Sequence, residues 1–172
     1  SQDKINKNLV TTCIEETWFE NKKNIFLGSW CKTFKNNGKI KNIDHEIFKH
    51  HWQDNEKLLN DDWIYLKELS NRIVSHINNN IILKENYNLN KKFWDYAASI
   101  WVLNFVCMLY DKWQTLETCL KENENYLTKI IEYNENDFIP SNIENFYRLK
   151  STDIYNHYLY AETLKYFRSK KN

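Results

Sequence analysis

Two glycines and one proline serve the whole 172-residue chain. Ordinary usage is about 7% glycine and about 5% proline. Tight turns, hairpins and barrels consume those residues, which counts against an all-β fold. The phosphate loops of α/β nucleotide-binding folds also need glycines, and here glycine stands only at positions 28 and 38. Long helices with few loops are the expectation that remains. Aromatic residues form 16% of the sequence, enough apolar surface for a core and far from the composition of a disordered chain. The length is that of one domain, and a single domain spanning 1–172 is expected.

Apolar residues recur at helical steps along most of the chain. The first helix is expected from Asp3 to Asn36, on Ile5, Leu9, Cys13 and Val10, Ile14, Trp18, then Phe26, Trp30, Phe34, with Asn36-Asn37-Gly38 as its stop. A second helix starts at Asn42 or Asp44 and carries Ile47, Phe48, Trp52, Leu59, Trp63, Leu66, Ile73 and Ile77. A third runs from Asn90 to about Tyr133, with a bend or break expected at residues 121–125. Its segment Tyr96–Tyr110 holds no charge and reads as the central helix of the core. Ser141 and Glu144 form a capping box for a fourth helix reaching Arg168. Short links between such helices imply an all-α, antiparallel up-down-up-down four-helix bundle.

Charge is uneven. The net charge is +1, but the ends are basic and the middle acidic. In the expected bundle this places Lys4, Lys7, Lys22, Lys23, Arg148, Lys150, Lys165 and Arg168 on one flank, as a contact surface for anionic membrane lipid or a protein partner. The overall balance does not suit a nucleic-acid binder. Cys13, Cys31, Cys107 and Cys119 show no metal-type spacing and read as buried thiols, with disulfides the alternative. His45-Glu46 and His50-His51 miss the zincin spacing, since the second histidine falls at i+5 or i+6. No nucleophile elbow, Walker loop or dinucleotide fingerprint is present. The expectation is a non-enzymatic protein with no cofactor, no metal and no small-molecule substrate. The abundance of Asn, Lys and Ile reads as the signature of an AT-rich coding genome.

The expected organisation, four long helices with links at Asn36-Asn37-Gly38 and Phe138-Ile139-Pro140, resembles small helical proteins of malaria parasites. It is most similar to the sporozoite microneme proteins essential for cell traversal. Trp52, Trp63, Trp94 and Trp101 resemble the helix positions of the exported helical interspersed subtelomeric family, although an Asn-Tyr-Asn-Leu-Asn stretch stands where that family has Ile-Pro. The tryptophan-rich antigens are a more distant third. The first resemblance implies a secreted, microneme-stored protein acting on host membranes during cell traversal. The second implies an exported module docking on a host or parasite protein beneath the infected red-cell membrane.

Overall fold

Short, unbroken apolar runs bounded by polar residues suit a strand buried on both faces, whereas a surface helix spaces its apolar residues out. Leu9-Val10 and Ile25-Phe26-Leu27 are such runs, and each lies in or beside a strand. The computed structural model describes residues 7–82, 91–123 and 125–170. Strands β1 (Lys7–Val10), β2 (Lys23–Phe26), β3 (His45–Ile47) and β4 (Tyr126–Leu127) form one sheet in the order β3-β2-β1-β4. All its pairings are parallel. The helices are α1 (Asn37–Ile40), α2 (Glu56–Ile77), α3 (Lys91–Glu122), α4 (Ile143–Lys150) and α5 (Asp153–Ser169). The expected all-α four-helix bundle is therefore wrong: the fold is α/β, and the segment read as its first helix holds two of the strands. Leu9 and Cys13 do lie four residues apart, but as a strand residue and a loop residue.

The chain gathers into two units, residues 1–51 with 112–172, and residues 52–111. In the first, Leu9, Ile25 and Leu27 pack with Leu116 and Cys119 of α3 and with Tyr160 and Leu164 of α5. Val10 and Phe26 project to the opposite face, against Trp18, Cys31, Ile40 and Ile43. This alternation follows from the two-residue period of a strand. Parallel neighbours need a crossover, usually a helix. Residues 11–22 make the β1–β2 crossover with only a 3₁₀ turn, Glu15–Thr17. What replaces the helix is side-chain amide chemistry. Asn24 accepts from the Phe19 N–H (3.1 Å) and donates to the carbonyls of Phe19 (2.8 Å) and Asp44 (3.2 Å). Asn8, its register partner, donates to Asn24 Oδ1 (2.8 Å) and to the Thr17 carbonyl (3.0 Å).

The helical expectations fare unevenly. The second helix begins only at Glu56, capped by Asn55, because β3 and a turn occupy its first part. The third ends at Glu122, where a break was expected. The fourth is two helices: Asn142, not Ser141, caps α4, and Thr152 caps α5. In the unit of residues 52–111, α2 buries Asp62, Leu66, Ser70 and Val74, and Asp62 accepts from Trp52 Nε1 and the Tyr110 hydroxyl, both at 2.7 Å. The Tyr96–Tyr110 stretch is not a covered central helix. Val102 is buried, but Tyr96 is 72% exposed, and Phe93 and Ile100 are exposed beside it. Among the described residues no helix is long and apolar enough to cross a membrane. Lys4, residues 83–90 and the Trp94 side chain lie outside the described residues.

Two substitutions test this account. Asn24→Ala removes the anchor of the crossover and leaves buried peptide groups unpaired, at about 1–3 kcal/mol for each such group. Urea unfolding of the full chain should show that loss. Gly28→Ala introduces a Cβ 2.1–2.4 Å from ring atoms of Trp30, an overpacking that costs about 1–3 kcal/mol. Its signature is a shift in tryptophan emission as Trp30 is displaced, and unchanged emission and stability would contradict the packing described.

Candidate functional site at the carboxyl edge of the sheet

Polar and aromatic side chains gather where the parallel strands end. β1 runs into Thr11-Thr12-Cys13, β2 into Leu27-Gly28-Ser29-Trp30 and β3 into Phe48-Lys49-His50-His51. Trp30 joins the first two ends by donating its indole N–H to the Thr11 carbonyl (3.0 Å). Gly28 matters here because the indole lies where a Cβ would be. The His50 ring meets Trp30 edge-on at 5.9 Å and lies 4.3 Å from the His51 ring. His51 Nδ1 is 3.2 Å from the Thr115 hydroxyl of α3.

Helix α5 begins at this edge. Its first residue, Asp153, accepts from the Cys13 thiol (3.0 Å). One turn on, the fully buried His157 uses both ring nitrogens. Nε2 accepts from the Ile131 backbone N–H (3.2 Å), and Nδ1 lies 3.0 Å from the Thr11 hydroxyl. A nitrogen that accepts an N–H carries no proton, so the proton of the neutral ring is on Nδ1 and is donated to Thr11. His157 thus fastens the end of β1 to the segment that follows β4. Burial holds its pKa below the ordinary 6.5. The Thr12 hydroxyl is buried with no hydrogen-bond partner among the described residues.

The thiols are poor nucleophiles. Burial, followed by the Asp153 hydrogen bond, pushes Cys13 up to about 11, and burial pushes Cys31 up to about 12. All four cysteines are free, with Cys31 and Cys119 buried and Cys13 and Cys107 partly so.

Of the eight basic positions expected to share a flank, Lys4 lies outside the described residues and the other seven stand on or beside β1 and β2 and in α4 and α5. Lys7 and Lys23 begin adjacent strands and Lys22 precedes the second, at the amino edge of the sheet. Arg148 and Lys150 lie in α4, and Lys165 and Arg168 in α5. Lys7 donates to Asn123 (2.8 Å), Lys23 pairs with Glu46 (2.5 Å), and Lys165 pairs with Glu162 (2.6 Å). Lys150 lies 4.3 Å over the Tyr147 ring. The flank was inferred from helices 1 and 4 of a bundle, and the first of those helices does not exist.

In open α/β sheets a ligand binds outside the carboxyl ends of the strands, where the strand order reverses. From β1 this sheet continues to β2 and β3 on one side and to β4 on the other, so the reversal lies between β1 and β4. The fold is that of an α/β protein with a parallel sheet. A family model described as LIC12162 family transferase matches residues 7–172, and the chain belongs to that family. No curated protein and no solved structure matches it. Membership overturns the reading as a non-enzymatic traversal or docking protein, and with it the exclusion of a small-molecule substrate. The missing hydrolase, P-loop and dinucleotide motifs excluded those mechanisms, not group transfer in general. None of Thr11, Thr12, Trp30 or His157 was expected from sequence as a site residue, and Trp30 was read as part of a helical stripe. The available signal was the pair of apolar runs, Leu9-Val10 and Ile25-Phe26-Leu27, each followed at once by small or polar residues.

The His157 geometry makes a pH prediction. A folded pKa depressed below the unfolded value of about 6.5 means that the unfolded chain binds the proton first. The stabilisation is complete above about pH 6.5 and is lost as pH falls from there through the folded pKa. Denaturant unfolding between pH 5 and 8 should show this loss in the native chain and a reduced one in His157→Gln. Imidazole ¹⁵N spectra at neutral pH should show Nδ1 protonated and Nε2 bare. An Nε2-protonated ring would refute the assignment.

Proposed function

We propose that this chain is a group transferase that binds its small-molecule substrate at the carboxyl edge of the sheet, where β1, β2 and β3 end. The observation that carries this reading is the gathering of polar and aromatic side chains where these parallel strands end. That edge collects Thr11, Thr12, Ser29, Trp30, His50 and His157, and family membership supplies the reaction class.

Transfer to an acceptor hydroxyl or amine needs a group to take the acceptor's proton, and histidine does this most often. The residues divide that work by their surroundings. His157 has both nitrogens engaged in holding the strand ends. Cys13 and Cys31 are held as thiols. His51 faces Thr115 through Nδ1. His50, half-buried and edge-on to Trp30, is assigned the proton transfer, with the indole as one wall of the substrate site.

Two measurements check the assignment. Amide NMR spectra of the full chain, titrated with a panel of activated small-molecule donors, should show shifts concentrated at residues 11–13, 28–30 and 49–51. Perturbation confined to other parts of the chain would defeat the reading. With a donor that binds, His50→Gln should lower turnover about 10²–10⁴-fold, the usual contribution of a general base, with little change in donor affinity.

A further inference from the structure

Large apolar side chains left open to solvent are crowded into one short part of α2. Leu59 is 45% exposed, Trp63 47% and Ile64 51%. They fall at i, i+4 and i+5, so a helix of 3.6 residues per turn sets them on one stripe. This stripe is distinct from the buried one, Asp62, Leu66, Ser70 and Val74. Charge frames it at both ends. Glu56 and Lys57 stand at its amino end, Lys67 and Glu68 at its carboxyl end, and all four are exposed. None of the four forms an ion pair among the described residues.

Exposed apolar side chains rimmed by polar residues mark contact surfaces, and tryptophan is enriched among the anchors of such contacts. The rim charges say which partner fits. Glu56 and Lys67 lie equally far from the middle of the stripe and carry opposite signs. Lys57 and Glu68 repeat this along the other edge with the signs exchanged. Turned end for end, the stripe therefore offers each charge of its own rim an opposite one. Packed parallel, it would set every charge against its like. A surface complementary to itself in the antiparallel sense meets the requirement of a two-fold, isologous interface.

We propose that this face of α2 is a self-association surface, on which two copies of the chain pair with their α2 helices antiparallel. Trp63 of each copy packs on Leu59 of the other, and Ile64 closes the opposite edge. Glu56 meets Lys67 of the second copy, and Lys57 meets its Glu68. The inference stands apart from the substrate reading, because every residue assigned to the carboxyl edge lies outside residues 52–111.

Sedimentation equilibrium of the full chain gives the first test. The mass should rise from one chain toward two between about 1 μM and about 1 mM, the range of weak to moderate affinities. Trp63→Ala should raise the dissociation constant at least about tenfold, as loss of an anchoring tryptophan does. A native chain that stays monomeric over this range, or an association that Trp63→Ala leaves unchanged, overturns the proposal. The charges give a second test that does not disturb the apolar stripe. Glu56→Lys alone and Lys67→Glu alone each set like charges together across the interface, and each should weaken association at low ionic strength. An equimolar mixture of these two variants restores opposite charges at both ends and should recover association as a mixed dimer. A mixture that associates no more tightly than either variant alone overturns the antiparallel pairing and the proposal with it.

Discussion

A pair of fully buried asparagines holds the sheet unit together. Asn8 and Asn24 face each other in register on adjacent parallel strands, 2.8 Å apart. A buried amide is costly unless its hydrogen bonds are made. Here the amides bond to each other and to peptide groups of the chain that joins the two strands, and only Asn8 Oδ1 of the pair has no hydrogen-bond partner among the described residues. The Asn24 amide serves both the N–H and the carbonyl of Phe19 and reaches the Asp44 carbonyl ahead of β3, while Asn8 takes the carbonyl of Thr17. Two side chains therefore fix the β1–β2 crossover and the approach to β3. A parallel sheet normally obtains that order from a packed helix, and this one obtains it from amides.

Fixing the crossover with amides leaves the carboxyl ends of the strands uncovered by a β1–β2 helix and close together. Trp30 can then reach across to the Thr11 carbonyl, and α5 can seat its first turn beside Cys13. His157 completes the arrangement, since one imidazole spans from Thr11 to the backbone of Ile131. The same helices divide their chemistry by position. Toward the carboxyl edge they carry Thr115, Asp153 and His157, and in the middle Leu116, Cys119, Tyr160 and Leu164.

The long helices were legible because length makes periodicity unambiguous. α2 and α3 were expected over much of their extent, and so was the end of α3 near residue 121. The strands were not. Each has four residues or fewer, too short to separate a two-residue period from a 3.6-residue one, and their apolar residues fell by chance on helical steps. The scarcity of glycine misled in the same direction. It excluded glycine-built phosphate loops, but a β1–β2 crossover that rests on a 3₁₀ turn and asparagine amides needs no glycine. Asparagine itself was set aside as a compositional bias. Asn8 and Asn24 order the sheet, and Asn55 and Asn142 cap helices, yet they stand among many others with no mark in sequence.

The uncharged stretch Tyr96–Tyr110 shows how composition and position separate. Absence of charge over fifteen residues argued for a covered helix, because apolar side chains leave water wherever a partner surface exists. The helix around it buries Val102 on one side and leaves Phe93, Tyr96 and Ile100 open on the other. Those three recur at i, i+3 and i+7, a single face of the helix. What the stretch lacks in charge it recovers partly in hydrogen bonds: Asn104 donates to the Ile100 carbonyl, Ser99 to that of Tyr96, and the Tyr110 hydroxyl to Asp62. The buried side of α2 is likewise mixed, with Asp62 and Ser70 alternating with Leu66 and Val74. A unit with two polar residues in four on its inner stripe is ordered by directed bonds as much as by burial, as the sheet unit is by Asn8 and Asn24. Hydropathy counts apolar groups without saying which of them find a partner. For this chain the polar pairings, invisible to that count, decide which segments become strands and which helix faces stay open.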